Sequence, residues 1–181
     1  MARFDFLSGT FLGVFLLLGN FSPAHAQQVT LAQDALEAAV DMFESALPAL
    51  PPSMFGVDLA TYQDALSRQR FLSPEWGDII ISVSRTDEAD GSCRRFAAYT
   101  EIPPRNGTVR LVLCPQFFSP GADGLRRLTI LHEVVHAVAG PDECRAMAFA
   151  AAVEHAATGR FTAVDRYWQA NGCPRSPFSL P

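Results

Sequence analysis

The stretch from Leu125 to Ala139 constrains this chain more than any other. Leu128, Ile130, Leu131, Val134, Val135 and Val138 cover almost the whole circumference of a predicted helix with apolar side chains. A helix that is apolar all round has to be buried, so the fold must be built around this segment. Its ends are marked. Asp123 is placed to cap the start, and Gly140-Pro141 stops the helix at about Ala139. Yet this buried helix also carries His132, Glu133 and His136.

Those three residues spell HExxH (His132-Glu133-Val134-Val135-His136). Positions four apart share one helix face, so both imidazoles can reach a single zinc ion from one rigid element. Glu133, one position along, can serve as general base toward a water held between the histidines without ligating the ion itself. The bland alternative is a pair of satisfied core histidines. An enzyme site of this kind needs a third protein ligand and an open position. Asp142, six residues after His136, is the expected third ligand, the alternative being a plain cap for the next helix, a position where aspartate is favoured. Glu143 is the rival, with Glu154 and His155 weaker candidates.

The N-terminus reads as an export signal. Arg3 precedes the apolar run Phe11–Leu18, and Ala24-His25-Ala26 is a small-x-small cleavage pattern that would leave Gln27 first. The run is shorter than the ~20 residues a spanning helix needs. The expectation is therefore a signal peptide over 1–26, followed by one domain over 27–181, secreted or periplasmic, without stable membrane association once the signal is removed. The net charge of −5 is carried by 19 acidic residues against 14 basic ones, all of them arginine. Such a scattered, mildly acidic balance argues against nucleic acid as a partner. Cys93, Cys114, Cys144 and Cys173 form no CxxC pair and suggest two disulfides, with three pairings open.

The element order predicts an α+β fold with a small antiparallel sheet. Thr30–Leu47 reads as an amphipathic helix, with Thr30 and Gln33 as a capping box. Asp58 is expected to cap a second helix running to about Gln69. Strands follow at Asp78–Arg85, Arg94–Ile102 and Thr108–Leu113, the last two joined across Asn106-Gly107 as a hairpin. After the HExxH helix, a last helix from about Asp142 to Thr158 is rich in alanine and ends at Gly159.

Two segments resemble the zincin metallopeptidases, most closely the aspzincin group (deuterolysin and lysine-specific metalloendopeptidases). One is Val109–Phe118 (VRLVLCPQFF); the other is HExxH followed by Ala139-Gly140-Pro141-Asp142. The aspzincins place a metal-binding aspartate shortly after the second histidine, in a Gly-Thr-x-Asp-x-x-Tyr-Gly segment. Gly140 and Asp142 match its glycine and aspartate, whereas Arg145 and Ala146 stand where the family has tyrosine and glycine. The six-residue interval to Asp142 is also similar to the metzincin pattern, in which the snapalysin type uses aspartate. The resemblance implies a zincin-like domain with one catalytic Zn2+ held by His132, His136 and Asp142, and a peptide or protein as substrate. It also implies that Thr108–Leu113 is the edge strand that pairs with that substrate. The function expected is that of an exported zinc metalloendopeptidase. The alternatives are an inactive metal-binding module and a zinc amidase acting on cell-wall peptide.

Overall fold

The computed structural model describes residues 23–181; of the expected signal peptide over 1–26, residues 1–22 lie outside the described residues, and the cleavage point after Ala26 falls in the first turn of the first helix. The fold is mixed α+β, with five α-helices and two small sheets among the described residues. Helix α1 spans Pro23–Ala46 and buries Ala35, Ala39, Phe43 and Ala46 along one stripe. It continues through Thr30, which is therefore not a cap, and Gln33 bonds Glu37 rather than closing a capping box.

A two-stranded ribbon, β1 (Ser53–Met54) with β2 (Val57–Asp58), leads into α2 (Leu59–Arg68). Asp58 caps α2 as expected, accepting from the Thr61 N–H at 2.8 Å. The main sheet comprises β3 (Arg70–Ser73), β4 (Gly77–Arg85), β5 (Ala98–Arg105) and β6 (Thr108–Leu113), in the order β3-β4-β6-β5. Asn106 (φ 51°) and Gly107 (φ 72°) are both left-handed, the signature of the tight turn that joins β5 to β6.

Two expectations about the sheet are corrected. It is not wholly antiparallel, because β6 runs parallel to β4, from Ile80 opposite Thr108 to Arg85 opposite Leu113. Nor is Thr108–Leu113 an edge: it lies between β4 and β5, and the edge strands are β3 and β5. The physical reason was present in the chain. Val109, Leu111, Val112 and Leu113 are all buried, which suits an interior strand, whereas Pro103 and Pro104 lack N–H donors and are tolerated only where no neighbour needs them.

Helix α3 (Asp123–Ala139) carries the HExxH segment, and α4 (Glu143–Thr158) follows after a three-residue turn. Asp123 is the first residue of α3 and pairs with Arg126 instead of capping the helix. α3 touches α1, α2 and α4 on one side and β5 and β6 on the other. Beneath it, Tyr62 lies 4.8 Å from Phe43 and 4.5 Å from Phe149, ring to ring, and donates its hydroxyl to the Leu131 carbonyl at 2.8 Å. Three helices are thereby fixed against the backbone immediately before His132. A short helix, α5 (Asp165–Ala170), lies outside any periodic signal in the sequence and packs Trp168 inward.

The disulfides are Cys93–Cys114 and Cys144–Cys173, which settles the pairing left open by the sequence. Stable disulfides belong to oxidising compartments. Among the described residues, no helix is long and apolar enough to cross a membrane.

Candidate metal centre

His132, Glu133 and His136 all lie on the buried length of α3, each 5–6% exposed. The 3.6-residue period turns both imidazoles to one side, where their Nε2 atoms approach to 3.0 Å. Into the same point comes Oε2 of Glu143, the first residue of α4, 3.0 Å from His132 Nε2 and 3.5 Å from His136 Nε2. Four ligands arranged tetrahedrally about an ion at ~2.0–2.1 Å stand about 3.3 Å from one another. The three observed separations match such edges, so the cluster can hold a metal ion.

Asp142, expected as third ligand, does not join the group. Its carboxylate caps α4, accepting the N–H groups of Cys144 and Arg145 at 3.0 Å each. Both bonds go to Oδ1, so the carboxylate is turned to the start of α4, and the donor atoms that lie together are those of His132, His136 and Glu143. The neighbouring Glu143, already inside the helix, projects toward the histidines instead.

The turn that makes this possible depends on Gly140. At φ 87° it occupies a region that favours glycine, and its carbonyl lies 3.0 Å from His136 Nδ1. Donation from Nδ1–H leaves the His136 Nε2 lone pair facing the cluster, an orienting contact common behind metal-binding histidines. Nδ1 of His132 is buried with no protein partner among the described residues.

Tyr167, on α5, donates its hydroxyl to Glu143 Oε2. Burial raises the Tyr167 phenol above its ordinary range, and the bond to the Glu143 carboxylate adds to the shift. For Glu143, burial pushes the carboxyl up, but hydrogen bonds from His132, His136 and Tyr167 outweigh it and hold the group well below the usual carboxylate range. For His136, burial lowers the pKa, but the Glu143 bond and the nearby Glu133 charge prevail and raise it. The ionised Glu143 carboxylate gives this point a negative charge, which suits a cation.

Glu133 is held from the sheet side. The Thr100 hydroxyl, on β5, lies 2.9 Å from Glu133 Oε2 and 3.0 Å from its carbonyl. The hydroxyl can donate to the carboxylate and fix its direction. Sequence reasoning did not find Thr100, although its place between Ala98 and Ile102 on one strand face was available from alternation.

The remaining candidates have other roles. Arg145 reaches back to the Ala139 carbonyl at 2.5 Å and stacks on Phe178, so it finishes α3 and does not enter the site. Glu154 is buried against Arg127 and the Thr162 N–H and hydroxyl, holding the loop after α4. His155 is exposed, beside the Phe161 ring.

Two cavities flank the cluster. The larger, about 540 Å³, has walls of Phe96, Leu125, Leu128, Met147 and Val164 and reaches His132, Glu133 and Tyr167. The smaller, about 100 Å³, lies between β5 and the α3–α4 turn and is bounded by Thr100, Ile102, Glu133, His136 and Pro141. Compared with known proteins, the chain matches no family model, no curated protein and no solved structure.

Proposed function

We propose that the chain is an exported zinc-dependent metalloendopeptidase with a zincin-like active site. The observation that carries this reading is the convergence of His132 Nε2, His136 Nε2 and Glu143 Oε2 at 3.0, 3.0 and 3.5 Å, with Glu133 beside them. Two imidazoles and one carboxylate suit zinc and leave a fourth position for water or substrate. A zinc ion bound there would polarise a substrate carbonyl and acidify a water at neutral pH.

The protein's own groups do the rest. Glu133, directed by Thr100, takes a proton from the attacking water and delivers it to the departing amine, so one carboxylate serves in both halves of the reaction. Tyr167, at the wall common to both cavities, spends its single hydroxyl proton on Glu143 and so fixes the carboxylate that would hold the metal. Edge strand β5 supplies backbone for an extended substrate. In an antiparallel ladder, hydrogen-bonded pairs alternate with unbonded ones. Starting from the Cys114 N–H bond to the Ala97 carbonyl, Tyr99 and Glu101 face β6, while Ala98, Thr100 and Ile102 turn their N–H and C=O groups outward. A peptide added there would cross the cluster at Thr100.

The test uses mature protein (27–181) reconstituted with zinc, beside Glu133→Gln and Glu143→Gln, with metal content and casein hydrolysis measured on each. The parent should carry one zinc per chain and cleave casein. Glu133→Gln should keep the zinc and lose roughly 10²–10⁴-fold in rate. Glu143→Gln should lose both. Zinc bound without hydrolysis of any peptide would leave a metal-binding module, and no zinc after reconstitution would sink the assignment.

A further inference from the structure

Beyond the smaller cavity the groove continues. Ile102 and Pro141 wall that cavity and also a third one of about 590 Å³, so the three cavities lie side by side from the large pocket past the histidines to this far end. The third cavity is closed by Trp76, Pro74, Pro103 and Val138. Its outer wall, the β3–β4 turn, is preformed. The Ser73 hydroxyl accepts the Glu75 and Trp76 N–H groups at 3.2 Å each, and Gly77 takes φ 75°. Trp76 is half-buried against the core and has a face left for the groove.

The backbone of β5 changes character along this path. Its outward donors end at Ile102, because Pro103 and Pro104 have no N–H and the ladder register breaks between Glu101 and Arg105. A bound chain continuing past Ile102 cannot be held there by main-chain pairing from those residues. What the groove offers at that point is apolar surface: one indole ring and three prolines. Aromatic- and proline-lined grooves of this kind take flat apolar side chains.

Resting on the peptidase reading, we infer that the Trp76 cavity is a substrate subsite for a bulky apolar residue, aromatic by preference, three or four positions before the scissile bond. The spacing follows from strand geometry. Pro103 lies three residues along β5 from Thr100, about 10 Å at strand rise, and an extended partner covers that span with about three residues. An antiparallel partner, the stronger pairing per residue, brings its N-terminal side to this end.

The experiment compares two internally quenched octapeptides, Phe-Phe-Ala-Ala-Leu-Ala-Ala-Ala and Ala-Ala-Ala-Ala-Leu-Ala-Ala-Ala, on the zinc-loaded mature protein, with the cleavage point mapped by mass. The parent should prefer the first by on the order of tenfold or more in kcat/KM. That ratio should fall to about one in Trp76→Ala and be largely restored in Trp76→Phe. Because each ratio is taken within one protein, a general loss of activity cancels. If Trp76→Ala fails to fold, Trp76→Leu reads the same ratio. A parent with no preference, or a ratio unchanged in Trp76→Ala, overturns the subsite while leaving the peptidase standing. If the parent cleaves neither peptide, the peptidase reading is decided by casein hydrolysis alone. The subsite is then decided by the anisotropy of the two peptides labelled with fluorescein: tighter binding of the first, lost in Trp76→Ala, supports it, and equal binding overturns it.

Discussion

Asp142 and Glu143 are adjacent carboxylates with different duties, and no local property of the sequence separates them. Both are acidic, both follow the Gly140-Pro141 stop, and either could be reached from His136. What divides them is the helix start. Asp142, with φ −76° and ψ 105°, is the last non-helical residue and its carboxylate is committed to two N–H groups of α4. Glu143 is one residue further and projects sideways. Asp142→Ala should therefore keep its zinc and most of its activity, and lose only the cap, about 1 kcal/mol in urea denaturation. A variant that folds but has lost its metal would return Asp142 to the ligand set. The histidine pair and Glu133 were legible because a helix period alone brings them to one face. Tyr167 and Thr100 were not, because they arrive from elements whose packing on α3 leaves no periodic trace.

Among the helices, α5 is the one the sequence did not announce, and Glu143 is held from it through Tyr167. Six residues are too few for a helix to hold itself in water. Its placement comes from Trp168 in the core and from the Cys144–Cys173 bridge, which ties the segment after α5 to the residue following Glu143. Glu143 and the Tyr167 phenol are thereby held by one staple. The Cys144→Ser/Cys173→Ser protein should lose about 3 kcal/mol of stability. If the chain is the peptidase proposed, the folded variant should hydrolyse peptide more slowly than the parent, because α5 is freed. Activity equal to the parent in the folded state would confine the bridge to stability alone. The strand order shows the same limit of local patterns. Asn106-Gly107 marks the β5–β6 hairpin, but nothing local says which of its strands lies against β4. Only the double-sided burial of β6 and the prolines of β5 carry that information.

At the scale of the whole molecule, the three donors lie on two helices, on either side of the chain reversal that joins them. His132 and His136 belong to α3, Glu143 to α4, and the turn between them is Gly140-Pro141-Asp142. An ion bound there ties the helix at the centre of the fold to the helix covering it. An unfolded chain cannot present the three atoms together, so binding energy becomes folding energy. With zinc at roughly a thousand times its Kd, the native state should gain about 4 kcal/mol. For a protein of this size that corresponds to a rise in Tm of about 10 °C. The disulfides and the shared apolar core remain after chelation, so EDTA should lower Tm by that amount without changing the far-UV circular dichroism at room temperature. Glu143→Gln separates this linkage from nonspecific effects of chelator: its Tm should start lower when zinc is present and move little when EDTA is added. A parent whose Tm ignores EDTA would mean that α3 and α4 are held together by packing alone, and that the convergence of His132, His136 and Glu143 contributes nothing to the fold through a metal.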